Sequence, residues 1–204
     1  MIYCFHRITV LSYEKEVNQM AGKTNDTEQK IILLTIDLID KNGIEQISLR
    51  NLAKQLGLTT GAFYKHFANK NDLWLAVTKQ LSKNMGLELA PILQKKYDSK
   101  TKILEIAKVL LLKFQTNPNL MNFLFFNPTS KSDLDLHSTE FNFLHIMNDL
   151  VSNLIIENKL TIDKQTLFIQ LWSFIQGYGL LIKNHATTFD EKLVTQTLQQ
   201  LIKE

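Results

Sequence analysis

Tyr64, Lys65 and His66 follow one another in a stretch that also holds Arg50, Lys54 and Lys70, residue types that donate hydrogen bonds to phosphates or to base edges. The 26 residues from 46 to 71 carry +4 and no Asp or Glu, while the other 178 residues sum to −1. Thr60, Gly61 and Ala62 present small side chains where a second helix begins, so a phosphate or base edge can come close to backbone N–H groups that favour an anion. This is the chemistry of recognition rather than of bond making. No cysteine cluster, paired-carboxylate constellation or nucleophile motif stands out, so no catalysis, metal or cofactor is expected. Gly177-Tyr178-Gly179 lacks a third glycine, since Ile182 stands there, and no strand precedes it, so it is not read as a nucleotide loop. His137 and His145 are eight apart, about 12 Å along a helix at ~1.5 Å per residue, too far to share one metal without a bend.

The candidate side chains need a frame, and local signals supply one. Ser48 is placed to cap a helix whose Leu49, Leu52, Ala53 and Leu56 share a face, and Gly57 stops it. Leu58 then enters the core, and Thr59 caps a second helix, Thr60 to about Phe67, with Phe63 and Phe67 four apart on the inward side. Asn69 with Asp72 has the spacing of a capping box, which puts Lys70 in the first turn of a third helix. Helix, glycine turn and short second helix make a helix-turn-helix, whose second helix enters the major groove of DNA.

Residues 47–73 resemble the DNA-binding domain of TetR/AcrR-type transcriptional regulators, with a motif close to T-x-x-x-I-A-x-x-x-G-V-S-x-G-x-x-Y-x-H-F-x-x-K-x-x-L. Ala53, Gly57, Gly61, Tyr64, His66, Phe67, Lys70 and Leu73 match it, and Ser48, Leu52, Leu58 and Thr59 are conservative departures. Ala62, where the family often has Thr, lacks that hydroxyl. The resemblance implies that Tyr64, His66 and Lys70 meet the DNA backbone while Thr60, Gly61 and Lys65 lie near bases. Ser48, Arg50, Thr59 and Ala62 complete the candidate DNA-binding set. A rival reading keeps the fold but makes the chain a helical adaptor that uses Tyr64 and its neighbours to bind protein.

With 204 residues, 45% of them hydrophobic and only 7 Gly and 3 Pro, the chain fits an all-α protein with a sizeable core. A net charge of +3 is too mild to mark nucleic-acid binding by itself. One cysteine, Cys4, cannot form an internal disulfide, and no apolar run reaches the roughly 20 residues of a membrane helix, so a soluble cytoplasmic protein without a membrane partner is expected.

The organisation expected is an N-terminal three-helix helix-turn-helix domain joined by a connecting helix to a C-terminal helical ligand-binding and dimerisation domain. Residues 1–22 read as an N-terminal extension, with Met20 an alternative start, 23–72 as the DNA-binding domain and 73–204 as the effector and dimer domain. The first clear helix runs from about Thr27 to Lys41, and the connecting helix is expected to break at Gly86 and Pro91. Further helices are expected over about 101–116, 118–126, 138–158, 163–186 and 190–203, with a loop at 129–137, Asn117 capping the second of these and Thr188 with Glu191 boxing the last. The last two helices carry more apolar residues than one buried stripe needs. The resemblance implies that they form a four-helix homodimer interface, with Leu171, Phe174, Ile175, Leu181, Leu193, Leu198 and Leu201 as candidates. An effector pocket for a small molecule is expected near Phe125, Phe143, Met147, Trp172 and Tyr178, with Gln115, His145, Asn148 and Gln176 as polar groups.

Overall fold

The structure is a computed structural model that describes residues 23–127 and 142–202, and the expected extension at 1–22, the loop at 129–137 and His137 lie outside them. Among the described residues there are helices and no strand. They are α1 (Lys23–Asn42), α2 (Leu49–Gln55), α3 (Thr60–Tyr64), α4 (Lys70–Leu93), α5 (Ser99–Thr116), α6 (Pro118–Phe126), α7 (Asn142–Asn158), α8 (Lys164–Lys183) and α9 (Glu191–Leu201). A 3₁₀ turn, Ile44–Gln46, links α1 to α2.

Short polar side chains set most helix starts. Asp98 and Asp163 accept the backbone N–H of Thr101 and Thr166 at 2.8 and 2.9 Å, and hydrogen bonds from the side chains and then the backbone of these threonines hold both carboxyls below the usual aspartate range. The α9 cap differs from the expected Thr188–Glu191 box, because Asp190 takes the N–H groups of Lys192 and Leu193. Thr188 is engaged elsewhere: its carbonyl accepts the Tyr178 hydroxyl at 2.8 Å, and that hydroxyl accepts the Asp190 N–H at 2.8 Å. One tyrosine therefore ties α8 to the α8–α9 turn.

The expected break at Gly86 and Pro91 is corrected by an unbroken α4 of 24 residues, roughly 36 Å long at ~1.5 Å per residue. Pro91 removes only the N–H that would pair with Leu87, both residues are exposed, and the helix ends two residues later, so water can serve the freed carbonyl. Helix α4 spans the expected domain boundary. It packs against α1 on one side and α5 and α7 on the other.

Helix α5 is the centre of the second domain, in contact with α4, α6, α7, α8 and α9. Its Ile106, Leu110, Leu111 and Phe114 are fully buried. Lys108 pairs with Glu105 and with Glu191 of α9 at 2.8 and 2.7 Å, and these two carboxylates hold its ammonium above the usual lysine range. Gly179 is where α8 crosses α5 most tightly: a Cβ there would stand 2.3 Å from a ring carbon of Phe114. The outer glycine, Gly177, has nothing within 4 Å of the same position among the described residues.

Candidate nucleic-acid interface and its link to the second domain

The turn of the helix-turn-helix is built by backbone chemistry that needs a glycine. Gly57 has φ +66, and the N–H groups of Leu58 and Gly57 return to the carbonyls of Ala53 and Lys54 at 2.9 and 3.1 Å, a Schellman ending. Leu52, Ala53, Phe63 and Phe67 are buried with Ile31, Ile39 and Ile47, which locks α2 and α3 against α1. Thr59 accepts the Ala62 N–H at 3.1 Å as expected, whereas Ser48 occupies the cap position of α2 without a side-chain bond. Asn69 accepts the Asp72 N–H at 3.0 Å and donates its amide to the Asp72 carboxylate at 3.1 Å, so the expected box closes through side chains.

Helix α3 is shorter than its pattern implies and ends at Tyr64, so Lys65 and His66 lie in the turn that follows. Thr59, Thr60, Gly61, Tyr64, Lys65 and Lys70 are exposed, as are Ser48, Arg50 and Lys54, while Ala62 and His66 are half-buried. Nearly half of the Tyr64 surface is open, at 47%, which is high for so large a ring. The fold thus brings the sequence candidates of the helix-turn-helix to the outside of one small unit, on a stretch, residues 46–71, that holds no acidic residue.

Two contacts fasten this unit to the second domain. Asn117 stands at the N-cap of α6 with Pro118 in the first turn, as expected, but its side chain makes no bond to the helix and donates its amide to both Asp40 carboxylate oxygens at 3.3 Å. Asn119 donates to the Asp40 carbonyl at 2.9 Å, one of the carbonyls that the end of α1 leaves free. Four residues further on, α6 turns Phe123 into Trp74 of α4 with ring centroids 5.5 Å apart, and Lys70 Nζ lies 5.3 Å from the centroid of the same indole. Sequence reasoning did not pair Trp74 with Phe123, which are far apart in the chain. The i, i+4 spacing of Lys70 and Trp74 was the available signal for the second contact.

The aromatic residues expected around an effector come together only in part. Phe125 and Phe143 approach Trp172 at 5.2 and 5.7 Å, and Phe168, absent from the expected set, stacks on it at 5.9 Å. Met147 is buried on α7, on the same side as Phe143. Tyr178 is not in this group, because its ring stacks on Phe174 and its hydroxyl serves the α8–α9 turn. Gln115 is exposed, and His145, whose buried Nε2 has no hydrogen-bond partner among the described residues, lies on the side of α7 opposite Phe143.

The expected partner-facing set also divides. Leu171, Ile175 and Leu198 are 4%, 2% and 5% exposed and line this chain's own seam with Ile103 and Ala107 of α5. Phe174 and Leu201 are half-buried beside them, whereas Leu181 and Leu193 are exposed. The outer side of α8 is instead Ile169, Ser173, Gly177, Leu180 and Leu181, within a run from 165 to 182 that has no charged residue.

Among the described residues, no helix is long and apolar enough to cross a membrane, and no group of three His, Cys, Asp or Glu could hold a metal ion. Residues 31–77 match the family described as bacterial regulatory proteins, tetR family. An HTH-type transcriptional regulator of Staphylococcus aureus (strain USA300) is 29% identical over 98 residues, 47% of this chain and 51% of that protein, so the match spans about half of the curated relative. Among solved structures, the multidrug binding protein EbrR complexed with ethidium superposes with a TM-score of 0.66 at 21% identity, covering 87% of this chain and 99% of that one. The regulator FadR from Bacillus subtilis in complex with stearoyl-CoA gives 0.59 at 19% identity, with 86% and 97% covered. These likenesses extend the shared fold through α4–α9, beyond residues 31–77, the part of the chain that matches the tetR family of bacterial regulatory proteins.

Proposed function

We propose that the chain is a homodimeric DNA-binding transcriptional regulator, a repressor that holds a near-palindromic operator and leaves it when a small apolar or aromatic molecule enters the second domain. The observation that carries the DNA-binding reading is the helix-turn-helix stretch 46–71, which holds no Asp or Glu and leaves Arg50, Lys54, Tyr64, Lys65 and Lys70 all exposed. Two copies related by a twofold axis would set their α3 helices in successive major-groove faces about 34–36 Å apart. The test is titration of the purified protein against DNA from its own promoter region, compared with unrelated DNA of equal length. Lys70→Ala is expected to weaken binding to all sequences alike and to lower the salt slope by about one per half-site, because one phosphate contact is lost. Unchanged affinity and slope would remove Lys70 from the interface.

Release by an effector is supported by the ring cluster around Trp172 and by what the similar EbrR and FadR structures hold, ethidium and stearoyl-CoA. A ligand acts only by binding the released form better than the DNA-bound form. An effector is therefore expected both to change Trp172 fluorescence and to lower operator affinity. Phe143→Leu, which keeps an apolar group at the site, should bind DNA normally and lose most of that response. Ligands that stabilise the protein against heat yet never alter operator affinity would contradict the inducer mechanism.

A further inference from the structure

Trp74 touches both halves of the molecule. Its ring plane carries the Lys70 ammonium at 5.3 Å, and the ring meets Phe123 of α6 at 73° and 5.5 Å. The indole is 4% exposed and cannot swing out, while Lys70 is an exposed side chain at the first position of α4. A lysine on the surface ordinarily samples many rotamers and loses that freedom when it binds. A cation resting on a fixed ring has already lost part of it, and its outward N–H groups remain able to meet a phosphate.

We propose that Trp74 is a positioning residue for DNA binding: it holds the Lys70 ammonium in place for a backbone phosphate, and Phe123 of α6 holds the indole, so the second domain sets how well that cation is presented. The proposal rests on the reading of the helix-turn-helix as the DNA-binding surface. It gives a contact of the second domain a direct effect on one named DNA-facing group, in addition to any movement of the two α3 helices relative to each other.

A double-mutant cycle on the full chain tests it, with promoter-region DNA titrated at two salt concentrations against the wild type, Lys70→Ala, Trp74→Leu and both together. Trp74→Leu is expected to weaken binding about two- to fivefold per half-site, the scale of one exposed cation–π contact. In the Lys70→Ala background the same change should do nothing further, because Trp74 acts through Lys70. Trp74→Phe, which still offers a ring, should recover most of the loss, and Phe123→Leu should weaken binding only where Lys70 is present. Equal losses in both backgrounds would make Trp74 a structural residue and overturn the proposal alone, whereas a wild type that binds no DNA would overturn the DNA-binding reading with it. The NMR shift of the Lys70 Cε protons gives a reading that needs neither DNA nor a folded Trp74→Leu variant. Ring current should move them upfield of those of Lys54 and Lys65, and coincident shifts would also overturn the proposal.

Discussion

Gly177→Glu is expected to convert a dimer into folded monomers and to weaken operator binding about a hundredfold or more, the lower end of what is lost when two linked sites bind separately. The subunit itself should tolerate the change. Among the described residues nothing stands within 4 Å of a Cβ at 177, and glutamate is a better helix former than glycine by roughly 0.5–1 kcal/mol. A partner helix would not tolerate it, because the outer side of α8 is uncharged and an unpaired carboxylate buried there costs several kcal/mol. Sedimentation at micromolar concentration, with a thermal melt to show that the fold survives, checks both halves of the expectation. A wild type that is already monomeric and grips a single half-site tightly would show that α8 has no partner.

Gly179→Ala is expected to destabilise the chain by about 1–3 kcal/mol, although alanine favours a helix over glycine by up to about 1 kcal/mol. The added methyl would lie 2.3, 2.4 and 2.8 Å from three atoms of the Phe114 ring. Phe114 is fully buried and stacks on Phe125 at 5.7 Å, so it has no open space to move into. Since Phe125 also meets Trp172 at 5.2 Å, the displacement should reach the tryptophan and alter its fluorescence. Denaturant unfolding of Gly179→Ala beside Gly177→Ala isolates the effect, because the second variant adds the same methyl to open space. Equal stability of the two would mean that α5 and α8 are free to separate at this crossing.

The helix-turn-helix was legible because its signals are short-ranged. Gly57 demands a positive φ, Thr59 and Asn69 cap with N–H groups three residues on, and Phe63 with Phe67 mark one inward side. The second domain was less so, and the reasons are physical. A helix apolar all round, as α8 is, has no phase that says which side meets its own chain. Leu171 and Ile175 were therefore read as partner-facing, and they line the seam with α5 and α9. Gly177 and Gly179 look alike in sequence and lie on nearly opposite sides of α8. The cap of α9 was misassigned because the helix starts at Glu191, which makes Asp190 rather than Thr188 the residue whose side chain reaches the free N–H groups of Lys192 and Leu193. Pro91 reads as a breaker until Leu87 is known to be exposed.

The measurement that tests the central claim most directly is the salt dependence of binding to the protein's own promoter region. If the basic surface of Arg50, Lys54, Lys65 and Lys70 meets phosphates from two subunits, log Kobs should fall linearly with log salt, and steeply, by about 0.9 for each phosphate neutralised. The promoter fragment should also compete far better than unrelated DNA of the same length. Binding that is absent, or indifferent to both salt and sequence, would contradict the assignment of this surface to an operator.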